Sequence, residues 1–301
     1  MIAVRRAHLE AFTARYLGDR LLYSREVGGR LNAGVVARTV PTAGRVDADW
    51  RPPEPCALED AVVLDERIKV GQVSRIDAFH AVELGCNPSL LAEPGLHILP
   101  SERRTRPAWG GYTVPILALS TTTGGIVSAR PDLLERVRNG LGPVAPDRSL
   151  SVAEFTRLHH VARLAIPYAY SLSGHVLYTD TEHFQPRPSR AVRLDRGDVR
   201  GTDLRRRFDG EIFVVWSVRG EIASWSAIKL KSPDVWEIAV VTEAPYRGQG
   251  LAKEVVSAAT AYILEQGRLA LYVHDRTNLA SAKVCRALGY VEYAEEFFSE
   301  Y

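Results

Sequence analysis

Residues 235–252 read VWEIAVVTEAPYRGQGLA, and this stretch decides the fold of the chain. Its first eight residues are mainly β-branched, aromatic or small, which predicts a strand covered on both faces. Residues 243–246 contain a proline, which cannot continue a β-ladder and therefore ends the strand. From Leu251 onward apolar residues recur at every third or fourth position, which predicts a helix. The stretch is therefore a strand, a glycine-bearing turn and a helix in immediate succession.

The turn between this strand and helix has the properties of an anion site. Small residues at a helix start leave backbone N–H groups directed outward at the positive end of the helix dipole, which favours phosphate groups. Two common phosphate-binding turns are excluded by the residues present. A P-loop requires Lys-Ser or Lys-Thr after its second glycine, and the dinucleotide fingerprint requires a third glycine where this chain has Lys253.

Two motifs in the last third of the chain resemble the signatures of the GNAT superfamily of N-acetyltransferases. The first is the pattern Arg/Gln-x-x-Gly-x-Gly/Ala, filled by Arg247, Gly250 and Ala252. The second begins with Asn278, at the start of a predicted helix that ends in Leu-Gly-Tyr at 288–290. The elements predicted over residues 189–301 follow the order βαβββαβαβ, which is the GNAT order without a second early helix or a long last hairpin. The resemblance implies an α/β (α+β) fold with a mixed, mostly antiparallel sheet flanked by helices.

The resemblance also implies where acetyl-coenzyme A, the co-substrate, binds. In GNAT enzymes the central strand splays from its neighbour, and its free backbone groups pair with the pantetheine arm as an added strand would. The glycine turn cradles the pyrophosphate, and the asparagine contacts the cofactor. Carried over to this sequence, the expected cofactor-binding residues are Val240, Val241, Thr242, Arg247, Gly248, Gln249, Gly250, Leu251, Ala252, Lys253, Asn278 and Ser281. The N–H of Val240 or Val241 is the expected oxyanion donor.

Acetyl transfer to an amine requires a base that removes a proton from the amine. Glu237 is the first candidate, because desolvation in an apolar strand raises the pKa of a carboxyl group and its position resembles that of the family's glutamate base. The alternative interpretation of Glu237 is a carboxylate at a strand edge that pairs with an arginine. His274, which follows the next predicted strand, is the second candidate base, with a structural role as its alternative.

At the position expected to protonate the leaving thiolate, this chain differs from the family. Cys285 stands where many GNAT enzymes have a tyrosine, seven residues after the helix-opening asparagine. We expect this cysteine to contribute packing as a small hydrophobic residue. Tyr272, Tyr290 and Tyr293 are alternative acids, and departure of the thiolate without an acid is a further alternative.

The run Pro-Arg-Pro-Ser at 186–189 is the clearest domain boundary in the chain. We predict a GNAT domain over residues 189–301, preceded by a smaller α+β domain of unknown role over residues 1–185. Within that first domain we predict helices at 4–23, 131–141 and 151–164, and strands at 61–64, 69–73, 114–119 and 125–128. Residues 79–84 fit neither a helix nor a strand pattern clearly. An alternative is that this domain is a degenerate GNAT-like half.

The composition excludes several classes of protein. The 301 residues carry a net charge of +2, which indicates neither disorder nor a nucleic-acid partner. The three cysteines lie far apart, and neither Cys-x-x-Cys nor His-Glu-x-x-His occurs, so we expect no metal and a reducing compartment. No apolar run has the length of a membrane span, so we expect a cytoplasmic protein without a membrane partner.

Together these features predict a cytoplasmic N-acetyltransferase that moves the acetyl group of acetyl-coenzyme A to a primary amine, of a small molecule rather than a protein. The alternative, from another class, is a non-catalytic acyl-coenzyme A-binding module for regulation or interaction. Two departures from the family leave that alternative open: Cys285 replaces the usual tyrosine, and Glu237 lies about one residue from the usual position of the family's glutamate base. The first domain is expected to supply packing, part of the acceptor groove or the surface of a homodimer.

Overall fold

The computed structural model describes residues 74–144, 149–166, 169–195 and 197–301, together with the backbone of two short strands at residues 26–27 and 30–31. Within these residues the α-helices are α1 (Arg75–Leu84), α2 (Leu134–Leu141), α3 (Val152–Ala165), α4 (Thr202–Arg207), α5 (Leu251–Glu265) and α6 (Leu279–Ala287). The strands are β1 (Glu26–Val27), β2 (Arg30–Leu31), β3 (Gly95–Pro100), β4 (Ile116–Ser120), β5 (Gly124–Ala129), β6 (Tyr170–Thr179), β7 (Val192–Arg193), β8 (Ile212–Trp216), β9 (Ile222–Lys229), β10 (Val235–Thr242), β11 (Leu269–Asp275) and β12 (Val291–Glu300).

In the described part of the chain, ten of these strands form one continuous sheet in the order β3-β5-β4-β12-β6-β11-β10-β9-β8-β7. The pairs β3–β5 and β10–β11 are parallel, and all the other neighbours in this sheet are antiparallel. The strands β1 and β2 pair only with each other. The predicted fold, a mixed and mostly antiparallel sheet flanked by helices, is confirmed.

The central strand β10 is covered on both faces, as its composition predicts. Ile238 is buried, and Trp236 and Val240 are partly buried, against the apolar stripe of α5. Ala239 and Val241 point to the opposite face, into the apolar cluster that includes residues of α4, β8 and β9. We call these two sides of the sheet the α5 face and the α1 face, since α1 packs on the latter over Val235 of β10 and its neighbours.

The strand β6 lies between β11 and β12, although it precedes the predicted domain boundary. It pairs antiparallel with β11 from Thr179 to Gly174 and with β12 from Tyr178 to Tyr170. The approach is close at Gly174, where a Cβ atom would lie 2.2 Å from the carbonyl oxygen of His274. The sheet of the last third of the chain is therefore completed by a strand from the region before it.

The segment after β6 runs along α5. The Arg187 amide donates to the Ser257 hydroxyl over 2.9 Å, and the Ser189 hydroxyl donates to the Glu254 carbonyl oxygen over 2.9 Å. The proline-rich stretch is thus fixed to the helix whose start forms the glycine turn. The boundary placed there from the sequence stays a prediction.

Helices α2 to α6 and most strands occur where the sequence predicts them. The strands β1, β2, β3 and β6 were not predicted, and the ambiguous residues 79–84 belong to helix α1, which begins with a capping box between Ser74 and Asp77. The predicted helix at 4–23, the predicted short strands at 61–64 and 69–73, and Cys56 lie outside the described residues. In the described part of the chain, no helix has both the length and the apolar character needed to cross a bilayer.

Candidate functional site

The parallel strands β10 and β11 pair over only three positions, Val235 with Leu269, Trp236 with Ala270 and Glu237 with Leu271. Beyond that point β10 continues its ladder with β9 alone, as far as Thr242, and β11 continues with β6 alone, as far as Asp275. The two strands therefore diverge toward their carboxyl ends and form a wedge. Its two edges are backbone without a ladder partner among the described residues, and Val240, Val241 and Thr242 lie on one of them.

The glycine turn at the start of α5 lies at the open end of the wedge. Gly248 and Gly250 have φ angles of 79° and 83°, and no side chain caps the helix. Because glycine adopts this left-handed region without a Cβ penalty, the turn can direct successive amides outward. Among the described residues, no acceptor is found for the five amides of residues 248–252. Their N–H groups and the helix dipole together make an anion site.

Charged side chains around this turn leave the anion site positive. The Arg247 Nε donates to the Thr242 carbonyl oxygen over 3.1 Å, and the Lys253 and Gln249 side chains are exposed. Glu254, in the first turn of α5, is neutralised by Arg190, whose Nε lies 3.1 Å from its Oε2. The one carboxylate in that turn therefore does not oppose a bound anion.

Asn278 begins α6, as predicted. Its Oδ1 accepts the Ser281 amide over 2.9 Å, and its Nδ2 donates to the Ser281 hydroxyl over 2.7 Å. Since α5 and α6 each follow the carboxyl end of one of two parallel strands, both helices begin at the open end of the wedge. The two predicted signatures thus lie on either side of the same opening.

Glu237 lies on the α1 face, at the last paired position of β10. Its Oε1 is 2.8 Å from the Lys229 Nζ, and both side chains are 7% exposed. The Lys231 Nζ lies 3.5 Å from the other carboxylate oxygen, and both ammonium groups are within 6 Å of the Trp109 ring. Two neighbouring cations therefore hold the Glu237 carboxylate in a buried ion pair. Its catalytic role remains a prediction, and an ion pair is present as in the alternative interpretation, but with lysines instead of an arginine.

His274 lies in the diverging half of β11, and its side chain points to the α5 face, like that of Tyr272 two residues earlier. It is 8% exposed, and its Nδ1 is 2.9 Å from the Asp275 carbonyl oxygen. A carbonyl oxygen can only accept, so Nδ1 carries the hydrogen and Nε2 keeps its lone pair. Burial lowers the pKa of His274, so the neutral imidazole able to accept a proton is favoured at neutral pH.

A group of polar side chains beside His274 was not predicted from the sequence. His175 on β6, Glu292 and Glu295 on β12, and His274 lie together on the α5 face, and we call them the polar floor. The His175 Nδ1 is 2.8 Å from the Glu292 Oε1 and 3.9 Å from the Glu295 Oε1. Ligand atoms of His175 and the two glutamates lie within 4.8 Å of one another, but Arg276, 2.5 Å from Glu295, already balances one carboxylate.

Three of the candidate acids, Cys285, Tyr290 and Tyr293, are buried or are hydrogen-bonded to groups outside the wedge. Cys285 is fully buried between α5 and α6, where burial raises the pKa of its thiol. The Tyr290 hydroxyl is 2.7 Å from the Thr260 hydroxyl, and the Tyr293 hydroxyl donates to Asp77 on the α1 face over 2.7 Å. Tyr272 is 1% exposed. These contacts favour departure of a thiolate without protonation by Cys285, Tyr290 or Tyr293.

Residues 176–290 match the acetyltransferase (GNAT) family. No curated protein matches the sequence significantly.

Solved structures with a similar arrangement include three bacterial proteins. A putative GNAT acetyltransferase from Novosphingobium aromaticivorans is 18% identical, and the match covers 44% of this chain and 67% of that one with a TM-score of 0.38. A GNAT acetyltransferase from Colwellia psychrerythraea is 12% identical over 58% and 76% of the two chains, with a TM-score of 0.37. A GCN5-related N-acetyltransferase-like protein from Streptococcus suis is 18% identical over 60% and 82%, with a TM-score of 0.39.

Proposed function

Residues 176–290 form a domain of the acetyltransferase (GNAT) family, and from this premise we propose that the protein transfers an acetyl group from acetyl-coenzyme A to a primary amine of a small-molecule acceptor. The family makes the chain an acyltransferase, and this proposal adds the donor, the bond formed and the class of acceptor. A cytoplasmic location belongs to the same proposal.

The observation that carries the proposal is the wedge between β10 and β11. An extended ligand that contains amide groups can pair with a free strand edge as an added strand does. The pantetheine arm of coenzyme A is such a ligand, and the free edge from Ile238 to Thr242 would hold it. Acetyl-coenzyme A, when bound there, supplies the acetyl group as an activated thioester.

The amides of residues 248–252 support a place for the diphosphate at the start of α5. A negative charge near a helix N-terminus is stabilised by about 0.3–1 kcal/mol through the helix dipole alone. Hydrogen bonds from the outward-directed amides and the exposed Lys253 side chain add to this. Asn278 and Ser281 would contribute polar contacts on the other side of the opening, at the start of α6.

The proton acceptor that we propose is His274, with Glu237 as the alternative. The amine nitrogen attacks the thioester carbonyl carbon, the carbon–sulfur bond breaks, and the amine proton goes to the Nε2 lone pair of His274. A backbone N–H at Val240 or Val241 would stabilise the oxyanion, because a fixed donor at the free strand edge needs no reorganisation. The thiolate leaves without an acid from Cys285, Tyr290 or Tyr293, all of which are buried or held elsewhere.

Binding and transfer are tested in two steps. Saturating acetyl-coenzyme A should raise the melting temperature in a concentration-dependent way, since ligand at 100 times its Kd stabilises the native state by about 2.7 kcal/mol. Release of the coenzyme A thiol should then be measured over a panel of primary amines. No thermal shift at millimolar ligand would reject the binding site, whereas a shift with no thiol release from any amine would favour the non-catalytic acyl-coenzyme A-binding module.

The base is identified with H274Q and E237Q on the amine that gives the fastest release. We expect H274Q to lower kcat by roughly 100-fold, the lower end of the range for general-base catalysis, with the affinity for acetyl-coenzyme A nearly unchanged. We expect E237Q to change kcat far less. The reverse pattern would assign the base to Glu237.

A further inference from the structure

The polar floor connects His274 to solvent through two neighbouring strands. His274 of β11 lies directly opposite His175 of β6, and His175 lies directly opposite Glu295 of β12. The rings of the two histidines have centroids 5.3 Å apart, at an interplanar angle of 43°. At the far end, the Glu292 side chain is 59% exposed, whereas His175 is 25% exposed. Exposure therefore increases stepwise from His274 through His175 to Glu292.

The hydrogen bonds fix the same tautomer in both histidines. The Nδ1 of His175 faces the Glu292 carboxylate over 2.8 Å, and the Nδ1 of His274 faces the Asp275 carbonyl oxygen over 2.9 Å. Because a carboxylate and a carbonyl only accept, both Nδ1 atoms carry hydrogen. Each ring is therefore left with Nε2 as the atom that accepts or releases a further proton.

The two rings differ in their surroundings. Burial lowers the pKa of His274, and the His175 Nδ1 lies 2.8 Å from the Glu292 Oε1 and 3.9 Å from the Glu295 Oε1. Arg276 neutralises Glu295 over 2.5 Å, and the Asp275 Oδ1 accepts from the Thr277 amide and hydroxyl, so Glu292 is the anion that remains for His175. Each acetyl transfer deposits one proton on the base, and a buried base must pass it on before the next turnover.

We propose that His175, held by Glu292, is a positioning residue that takes the proton from His274 and passes it to solvent. This proposal rests on the proposed function, in which His274 is the base. The proton leaves the acceptor amine for the Nε2 of His274, moves to the Nε2 of His175 and passes from that atom to water, while the Glu292 carboxylate keeps the Nδ1–H of His175 in place. Only a proton moves, and each nitrogen ends with the lone pair with which it began.

The first experiment follows the histidines directly and uses no ligand. Protein labelled with ¹⁵N-histidine is titrated by NMR, and the midpoint of the His274 Nε2 resonance is compared in wild type, H175Q and the control H160Q, which changes an exposed histidine of α3. Removal of the partner ring should shift the His274 midpoint to higher pH by about half a unit or more, since a like charge nearby disfavours protonation. The control should leave it in place. An unchanged midpoint in H175Q would overturn the relay.

The second experiment measures turnover with the amine that gives the fastest thiol release. We expect H175Q and E292Q to lower kcat about ten-fold, less than loss of the base itself, with KM for acetyl-coenzyme A within about two-fold of wild type. Added imidazole should restore turnover in H175A but not in H274A, a result that a merely structural role for His175 does not produce. Wild-type turnover in H175Q would overturn the relay.

The two proposals fail in different ways. If wild type releases no thiol with any amine, acetyl transfer is rejected and the relay with it. If wild type releases thiol normally and H175Q matches it in both the His274 titration and kcat, the relay alone is rejected.

Discussion

The carboxylate of Glu237 lies 2.8 Å from the ammonium group of Lys229, its direct partner across the antiparallel ladder of β9 and β10. Both side chains are buried, so water does not stabilise their charges and each charge is stabilised by the other. Lys231 and the ring of Trp109 complete the surroundings of this pair. The pair lies at Glu237, the last residue of β10 that pairs with β11, which is the closed end of the wedge.

We predict that K229M destabilises the protein by about 3–5 kcal/mol, because it leaves a buried carboxylate without its nearest partner. The double variant K229M/E237L should recover most of that loss, since an apolar pair of similar volume carries no desolvation penalty. Urea unfolding of the wild type, both single variants and the double variant gives the coupling energy. Strictly additive losses in this cycle would contradict a mutual role for the pair.

The turn at Gly250 gives a prediction with a control in the same helix. Gly250 and Gly267 flank α5 at opposite ends, with φ angles of 83° and 71°, and a Cβ at either position would meet no atom within 4 Å. An alanine at either site therefore costs stability through the backbone alone, by about 1–2 kcal/mol. Only G250A should also weaken the thermal shift given by acetyl-coenzyme A, because only that end of the helix carries the outward-directed amides.

If acetyl-coenzyme A raises the melting temperature of G250A as much as that of G267A and wild type, the diphosphate binds elsewhere. A loss of the shift in both would show that the effect comes from the stability of α5 rather than from the amides of the turn. The comparison uses unfolding free energies measured without ligand as the reference for each variant.

The strand, the glycine turn and the helix that border the wedge were predicted from the sequence because they are local, whereas the divergence of β10 from β11 was expected only from the resemblance to GNAT enzymes. A strand, a glycine turn and a helix are set by neighbouring residues such as Val240, Gly250 and Leu251, whose preferences act over short distances. The capping role of Asn278 is also local, and the structure places it at the start of α6. The parallel pairing of β10 with β11 follows from the helix that connects them.

The polar floor did not follow from the sequence, for a physical reason. Its side chains come from β6, β11 and β12, and their proximity depends on where β6 enters the sheet. The residues of β6 carry a weak strand signal, because Ser171, Ser173 and His175 are polar on one face and Gly174 interrupts the other. The pairing of Lys229 with Glu237, by contrast, could have been predicted by aligning the two strands of the β9–β10 hairpin.

Cys285 gives a prediction about the leaving group. Its side chain is 0% exposed within the apolar cluster of α5 and α6, and burial raises the pKa of its thiol. We expect C285A to keep kcat within about two-fold of wild type, since a residue that takes no part in proton transfer changes the rate little. Iodoacetamide should leave Cys285 unmodified in the native protein. A large loss of kcat in C285A, with cofactor affinity intact, would instead make it the acid.

His80 of α1 should make stability depend on pH. Its ring is stacked on that of Tyr293, with centroids 5.0 Å apart, and its buried Nε2 has no hydrogen-bond partner among the described residues. Burial lowers the pKa of His80 from 6.5 to about 4, with Glu83 and Asp77 opposing the shift and Lys231 adding to it. The folded protein therefore resists a protonation that the unfolded chain accepts.

The sign of this effect follows from proton binding. Between about pH 6.5 and pH 4 the unfolded chain binds a proton at His80 that the folded protein does not, so stability falls as the pH falls through this window. The loss from this group approaches about 3 kcal/mol at pH 4. We predict that H80F, which keeps an aromatic ring on Tyr293, loses less stability than wild type between pH 7 and pH 4, measured by urea unfolding. H160Q, changed at an exposed histidine, should follow the wild type, and equal slopes in H80F and wild type would show that His80 titrates normally in the fold.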